Sequence, residues 1–179
     1  MNKIQFLKSL IAADPYTYLL LHMDGENNGT SFPDSSRFAR TMTRGGDTKT
    51  ATAQSKFGGA SAFFDGTGDY LSNADANIAL GAGDFTVDFW LRIAVSQSAG
   101  IFDTQIIGGS AGRANSVFLR YSSSDAALRL SHNSAYKIAS SALSTNTWYH
   151  VAIVRSGSTT TMYINGTSVG TTTEIPAIS

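Results

Sequence analysis

The chain has 179 residues, with 13 basic and 13 acidic side chains that cancel, and no cysteine. A balanced charge provides no field to gather nucleic acid or an anionic membrane, and the lack of cysteine excludes disulfides, thiolate nucleophiles and zinc–sulfur centres. Apolar residues make up 42% and charged ones only 15%, beside 17 glycines, which fits one globular, turn-rich β domain and not a disordered chain.

In chain order, residues 1–13 carry Ile4, Leu7, Leu10 and Ile11 at helical spacing and stop at Asp14-Pro15, where the residue before proline is driven from helical angles. This reads as a short N-terminal arm or helix, residues 1–14, set apart from a β domain over 15–179. Its apolar run is broken by Lys8 and Ser9, so it does not read as a signal peptide, and no later stretch is long and apolar enough for membrane insertion. "YTYLLLHMDG" predicts a strand, and Leu19-Leu20-Leu21 predicts burial on both of its faces. Residues 25–50 are polar and read as a long surface excursion.

From residue 57 strand and turn signals recur closely. "SAFFDGTGDYLS" has apolar residues on both sides of a glycine-rich turn. "DFTVDFWLRIA" alternates, with Phe85, Val87, Phe89, Leu91 and Ile93 facing one way and Thr86, Asp88, Trp90 and Arg92 the other. "SVFLRYSS", "ALRLSHNS", "YKIASSAL", "WYHVAIVR" and "TTTMYING" are further strands, and Asn165-Gly166 has the chemistry of a type I′ hairpin turn.

The blocks "SKFGGASAFFDGTGDYLS", "GAGDFTVDFWLR" and "STNTWYHVAIVRSGSTTTMYINGTSVGT" resemble, in that order, the concanavalin A-like, laminin G-like superfamily. More narrowly they are similar to modules of secreted bacterial proteins and of bacteriophage tail and virion proteins. "LLLHMDGENNGTSFPDSS" resembles the first strand and loop of the phage-borne examples. The resemblance covers about residues 17–173 and implies an all-β, antiparallel two-sheet jelly-roll sandwich. In such modules further strands follow the last hairpin, and the closing strand pairs with the N-terminal one. Here "EIPAIS" follows the hairpin, so the expectation is a sandwich lacking its closing strands. The segment "YTYLLLHM" would then be an apolar edge, covered by a neighbour or by the arm, or left open because the chain is a fragment.

Glucanases of the superfamily place two or three carboxylates on alternate residues of one strand. This chain has two glutamates, Glu26 and Glu174, and no E-x-D pattern, so no enzymatic activity is expected. No nucleophile elbow or phosphate-binding motif occurs, and His150 in "WYHVA" reads as structural. No cofactor is required. Calcium is the one possible ion, since relatives hold it with carboxylates and carbonyls. Asp24 with Asp34, and Asp65 with Asp69, would be its ligands, although Asx turns already explain acids beside glycine.

Sugar recognition needs an exposed ring and fixed polar partners. Trp90 with Arg92 supplies one candidate platform, and Tyr121, His132, Asn133 and Tyr136 are candidate loop residues at a sandwich end. The resemblance implies a structural and recognition module of a phage virion appendage, such as a tail fibre, head fibre or decoration protein. Its partners would be other virion proteins, copies of itself, or host-surface carbohydrate. The alternative is a secreted bacterial carbohydrate-binding or adhesion domain.

Overall fold

A computed structural model describes residues 14–74, 80, 83–104 and 116–175. The expected N-terminal arm therefore lies outside the described residues. The chain divides into two compact units, Met1–Ile78 and Ala79–Ser179, and among the described residues every regular element is a strand.

The second unit contains the sandwich. One sheet is built from β5 (Phe85–Arg92), β10 (Trp148–Ser156), β11 (Thr159–Ile164) and β12 (Thr167–Thr172), in the order β12-β11-β10-β5. The other is β6 (Ala99–Asp103), β7 (Val117–Ser122), β8 (Ala127–His132) and β9 (Ala135–Ala139), in chain order. All pairings are antiparallel.

Sequence alternation decides which side chains enter the space between the sheets. On β5, Phe85, Phe89 and Leu91 pack against the core, while Thr86, Asp88 and Trp90 are exposed. On β7 and β8 the buried set is Val117, Leu119, Tyr121, Leu128 and Leu130; from the facing sheet come Val151, Ile153 and Met162. Burying each such large apolar side chain is worth roughly 1.5–3 kcal/mol, so this layer carries most of the unit's hydrophobic stabilisation. Ile175, just beyond β12, is also fully buried in it.

Tight turns set the registers. Asn165 and Gly166 have φ of 50° and 78°, the two positive values of a type I′ turn, as the sequence predicts. Asn133 and Ser134 (φ 49° and 61°) do the same between β8 and β9. Gly170 acts through close approach instead. A Cβ there would lie 2.8 Å from Cγ2 of Ile138, so its bare backbone lets β12 approach β9.

The first unit differs from its sequence reading. Residues 17–23 form no ladder; only Leu21 makes an isolated bridge, to Asp34, and Leu20 is 40% exposed. Nor are residues 25–50 a surface excursion. They contain β1 (Thr43–Gly45) and β2 (Lys49–Ala51), which pair with β4 (Tyr70–Ser72) and β3 (Ser61–Phe63) respectively. The strands on either side of "DGTGD" thus pair with earlier segments and not with each other. Buried Thr50 ties the 26–29 loop down, its amide donating to the Gly29 carbonyl and its hydroxyl to that of Glu26.

Asp34 explains why the leucine run is no strand. Its carboxylate accepts the amides of Leu20 (2.9 Å), Ser36 (2.8 Å) and Arg40 (2.9 Å) and the Ser36 hydroxyl (2.7 Å). The Leu20 amide, a ladder donor in a strand, is thereby consumed by a side chain. Arg40 closes the loop, donating to the Tyr18 carbonyl and lying 4.2 Å from the Phe38 ring, which stacks on Tyr18.

Burial of Asp34 raises the pKa of its carboxyl, but these hydrogen bonds outweigh that and hold it at about 2. Because the folded value is depressed, the stabilisation is fully present above about pH 4 and is lost as pH falls from there through about 2. The shift corresponds to a contribution on the order of 2 kcal/mol. Asp34→Asn should therefore speed amide exchange at Leu20 and Arg40 at neutral pH and remove the acid dependence of that protection. Unchanged exchange at both amides would show that Asp34 does not hold the loop.

Candidate functional site

Four outward positions on the β6–β9 sheet converge. Phe118 and Arg120 lie on β7, between the buried residues Val117, Leu119 and Tyr121. Arg129 sits opposite Arg120 on β8, and Tyr136 on β9 sits opposite Ser131. Arg120 Nη1 donates to the Tyr136 hydroxyl at 3.1 Å, and the Arg129 guanidinium carbon lies 4.7 Å from the Tyr136 ring centre. Held from two sides, Tyr136 is still 51% exposed.

Two open depressions meet at Phe118 and Arg120. One, of about 210 Å³, is lined also by Ser116, Ser131, Ser134 and Tyr136; the other, of about 270 Å³, by Ser98, Ala99 and Gly100. Gly100 matters to their shape, since a Cβ there would lie 3.1 Å from the Phe118 ring. Enclosed sites for small ligands usually reach about 300 Å³ or more, so these shallow, serine-lined depressions suit a chain lying along a surface.

The electrostatics separate the two arginines. Arg129 pairs with Asp125, whose hydrogen bond is the main cause of the raised guanidinium pKa. The same bond holds the Asp125 carboxyl below its ordinary range. Among the described residues Arg120 bonds to Tyr136 and pairs with no carboxylate; Asp103 stands opposite Phe118 on β6. Among the described residues, Arg120 is thus a cation without an ion-pair partner where the two depressions meet.

The six sequence-predicted binding residues separate into three places. Tyr136 is in this groove. Trp90 and Arg92 are on the other sheet's outer face, where Trp90 is 38% exposed and tilts against His150 at 5.3 Å between ring centres. His150 Nε2 reaches Asp88 at 3.2 Å, and Arg92 donates to the Asn146 side chain at 2.7 Å. Tyr121 and His132 do not line a loop at a sandwich end, since both are buried on strands. Tyr121 is buried in the core, its hydroxyl 3.2 Å from that of Ser96, and Asn133 forms the β8–β9 turn.

His132 is buried opposite Val117, and its Nε2 finds no partner. Burial, and secondly the Lys137 charge, lower its pKa, so it is neutral in the fold. Sequence reasoning missed Phe118, Arg120 and Arg129. Period-two alternation through "VFLRYS" does place Phe118 and Arg120 outside and Tyr121 inside, and was the available signal.

The acidic pairs also rearrange. Asp24 lies against Gly58, while Asp34 is taken up by its own loop. Asp65 and Asp69 do come together, joined by Asp47 from the β1–β2 turn, with one oxygen of each within 4.8 Å of the others. Three carboxylates could hold a hard cation. Asp69, however, already accepts the amides of Asp65 and Asp47, each at 2.8 Å, and the Asp65 bond is the main cause of its lowered pKa. Asp65 in turn accepts the Thr67 amide at 2.6 Å, the one Asx turn in the cluster.

The family model Laminin_G_3, of the concanavalin A-like lectin/glucanases superfamily, matches residues 65–179. The chain belongs to this family. A crystal structure of an S-layer domain-containing protein (residues 221–444) from Clostridium thermocellum ATCC 27405 is similar, with a TM-score of 0.50 and 24% identity. The similarity covers 88% of this chain and 73% of that one, and shows a shared fold. No curated protein matches the chain.

A histidine whose folded pKa is depressed stabilises above its unfolded value, and that stability falls as pH drops below about 6.5. Both tryptophans, Trp90 and Trp148, lie in the second unit, so their fluorescence during urea unfolding should report this loss. His132→Leu should flatten the dependence below about pH 6.5, and an unaltered slope would assign it elsewhere. Asp69→Ala should loosen the β1–β2 turn equally in calcium and in chelator; a loss seen only with calcium would make the cluster an ion site.

Proposed function

We propose that this laminin G-like chain is a non-enzymatic carbohydrate-binding or adhesion module acting at a bacterial surface or outside the cell, with the β6–β9 face as its binding surface. One observation carries the reading: Tyr136 is half exposed yet held by Arg120 and Arg129, at a depression lined also by Ser116, Phe118, Ser131 and Ser134. A pre-positioned ring with adjacent donors stacks on a sugar with little further loss of rotamer freedom.

The solved structure of like fold is described as an S-layer domain-containing protein, and a cell-surface setting is part of this proposal. The expectation of a phage virion appendage has no such support, and the bacterial module is the reading favoured here. A non-enzymatic role fits the groove, because the outward residues of β7 and β8 are Phe118, Arg120, Ser122, Ala127, Arg129 and Ser131. Double-displacement and inverting hydrolysis both need two carboxyl groups flanking the bond.

A glycan array with the wild type, Tyr136→Ala and Trp90→Ala tests the choice of face. Tyr136→Ala should lower affinity about ten-fold or more, the worth of one stacked ring with its hydroxyl contact, while Trp90→Ala leaves binding unchanged. The reverse ranking would move the site to the β5–β10 face. Wild type incubated with any bound oligosaccharide should release no shorter product by chromatography.

A further inference from the structure

Resting on that reading, we infer that the groove selects acidic glycans, and that Arg120 is the specificity-determining residue, receiving the carboxylate of a uronic acid.

A groove for neutral sugar is ordinarily lined by groups that both donate and accept, since every hydroxyl does both. Here the central side chain only donates. Arg120 borders both depressions, and its bond to the Tyr136 hydroxyl uses one nitrogen, Nη1. No carboxylate neutralises it among the described residues, whereas Arg129, Lys137 and His150 each have an acidic partner in Asp125, Glu174 and Asp88. A guanidinium presents donors in a planar fork that matches the two oxygens of a carboxylate.

The surroundings fix the fork. Tyr136 holds Nη1, Phe118 stands two residues away on the same face of β7, and Arg129 faces Arg120 across the β7–β8 ladder. The second guanidinium has its charge met by Asp125 and lies over the Tyr136 ring. A sugar ring over the exposed part of Tyr136 would then carry its carboxylate toward Arg120, with Ser134 beside it in the same depression. Stacking supplies sugar affinity and the fork supplies the choice of charge.

Calorimetry with oligogalacturonate, oligoguluronate and hyaluronan oligosaccharides, each beside its carboxyl-reduced counterpart, tests the inference. The reduced forms keep the rings and lose the anion. At least one acidic oligosaccharide should bind about ten- to a hundred-fold tighter than its reduced form, the range expected for a hydrogen-bonded charge pair, with a preference that weakens in salt. Arg120→Gln should equalise the two forms, and Arg120→Lys, which keeps charge but not the fork, should fall between. Unchanged unfolding of these variants by tryptophan fluorescence establishes that they fold. Equal binding of acidic and reduced forms, still lost in Tyr136→Ala, would overturn the acidic preference and leave the carbohydrate reading standing. If neither form of any pair binds, and the glycan array is also blank, both fall.

Discussion

The pleat of β7 is the constraint on which core and groove both depend. Successive side chains of a strand point to opposite faces, so Val117, Leu119 and Tyr121 cannot enter the core without Phe118 and Arg120 being presented outside. The β7–β8 register then sets Arg120 opposite Arg129, while the turn at Asn133-Ser134 sets Tyr136 opposite Ser131. A slip of one residue would exchange the two sets, burying guanidinium groups and exposing leucines. Core packing therefore aims the outward side chains, and a cavity made at Leu119 or Leu130 would be felt on the outer face.

This dependence explains what was legible in the sequence. Where alternation is strict and local, as from Phe85 to Arg92, inward and outward residues were assigned correctly, and Asn165-Gly166 marked its turn by backbone chemistry alone. The same rule runs through "VFLRYS", where Tyr121 alternates in phase with Leu119 and is buried with it, against the expectation of a loop position. Tyr121 and Tyr136 are the same residue type; one is 1% exposed and the other 51%, and only strand phase and position tell them apart.

Other parts were not legible because they are set by long-range partners. The run Leu19-Leu20-Leu21 has the composition of a buried strand, but the Leu20 amide is taken by the Asp34 carboxylate fourteen residues later. Asp47 joins Asp65 and Asp69 only because β1 pairs with β4 and β2 with β3. The meeting of Arg120 with Tyr136 needs two hairpin registers at once. Composition reports none of these, since each is a consequence of topology.

The charge arrangement also bears on the role proposed for the groove. A general acid in glycoside cleavage must keep its proton near neutral pH, which requires a raised carboxyl pKa. A carboxyl introduced at Ser131 or Ser116 would face Arg120, whose fixed positive charge favours the ionised form and lowers that pKa. A cation proposed to discriminate among anionic ligands would thus work against the proton transfer that hydrolysis needs. Placing two carboxylates on β7, at the alternate positions now held by Phe118 and Arg120, would remove both the apolar wall and the fork. On this face, binding an acidic sugar and cleaving a sugar by paired carboxylates make competing demands on the same two positions.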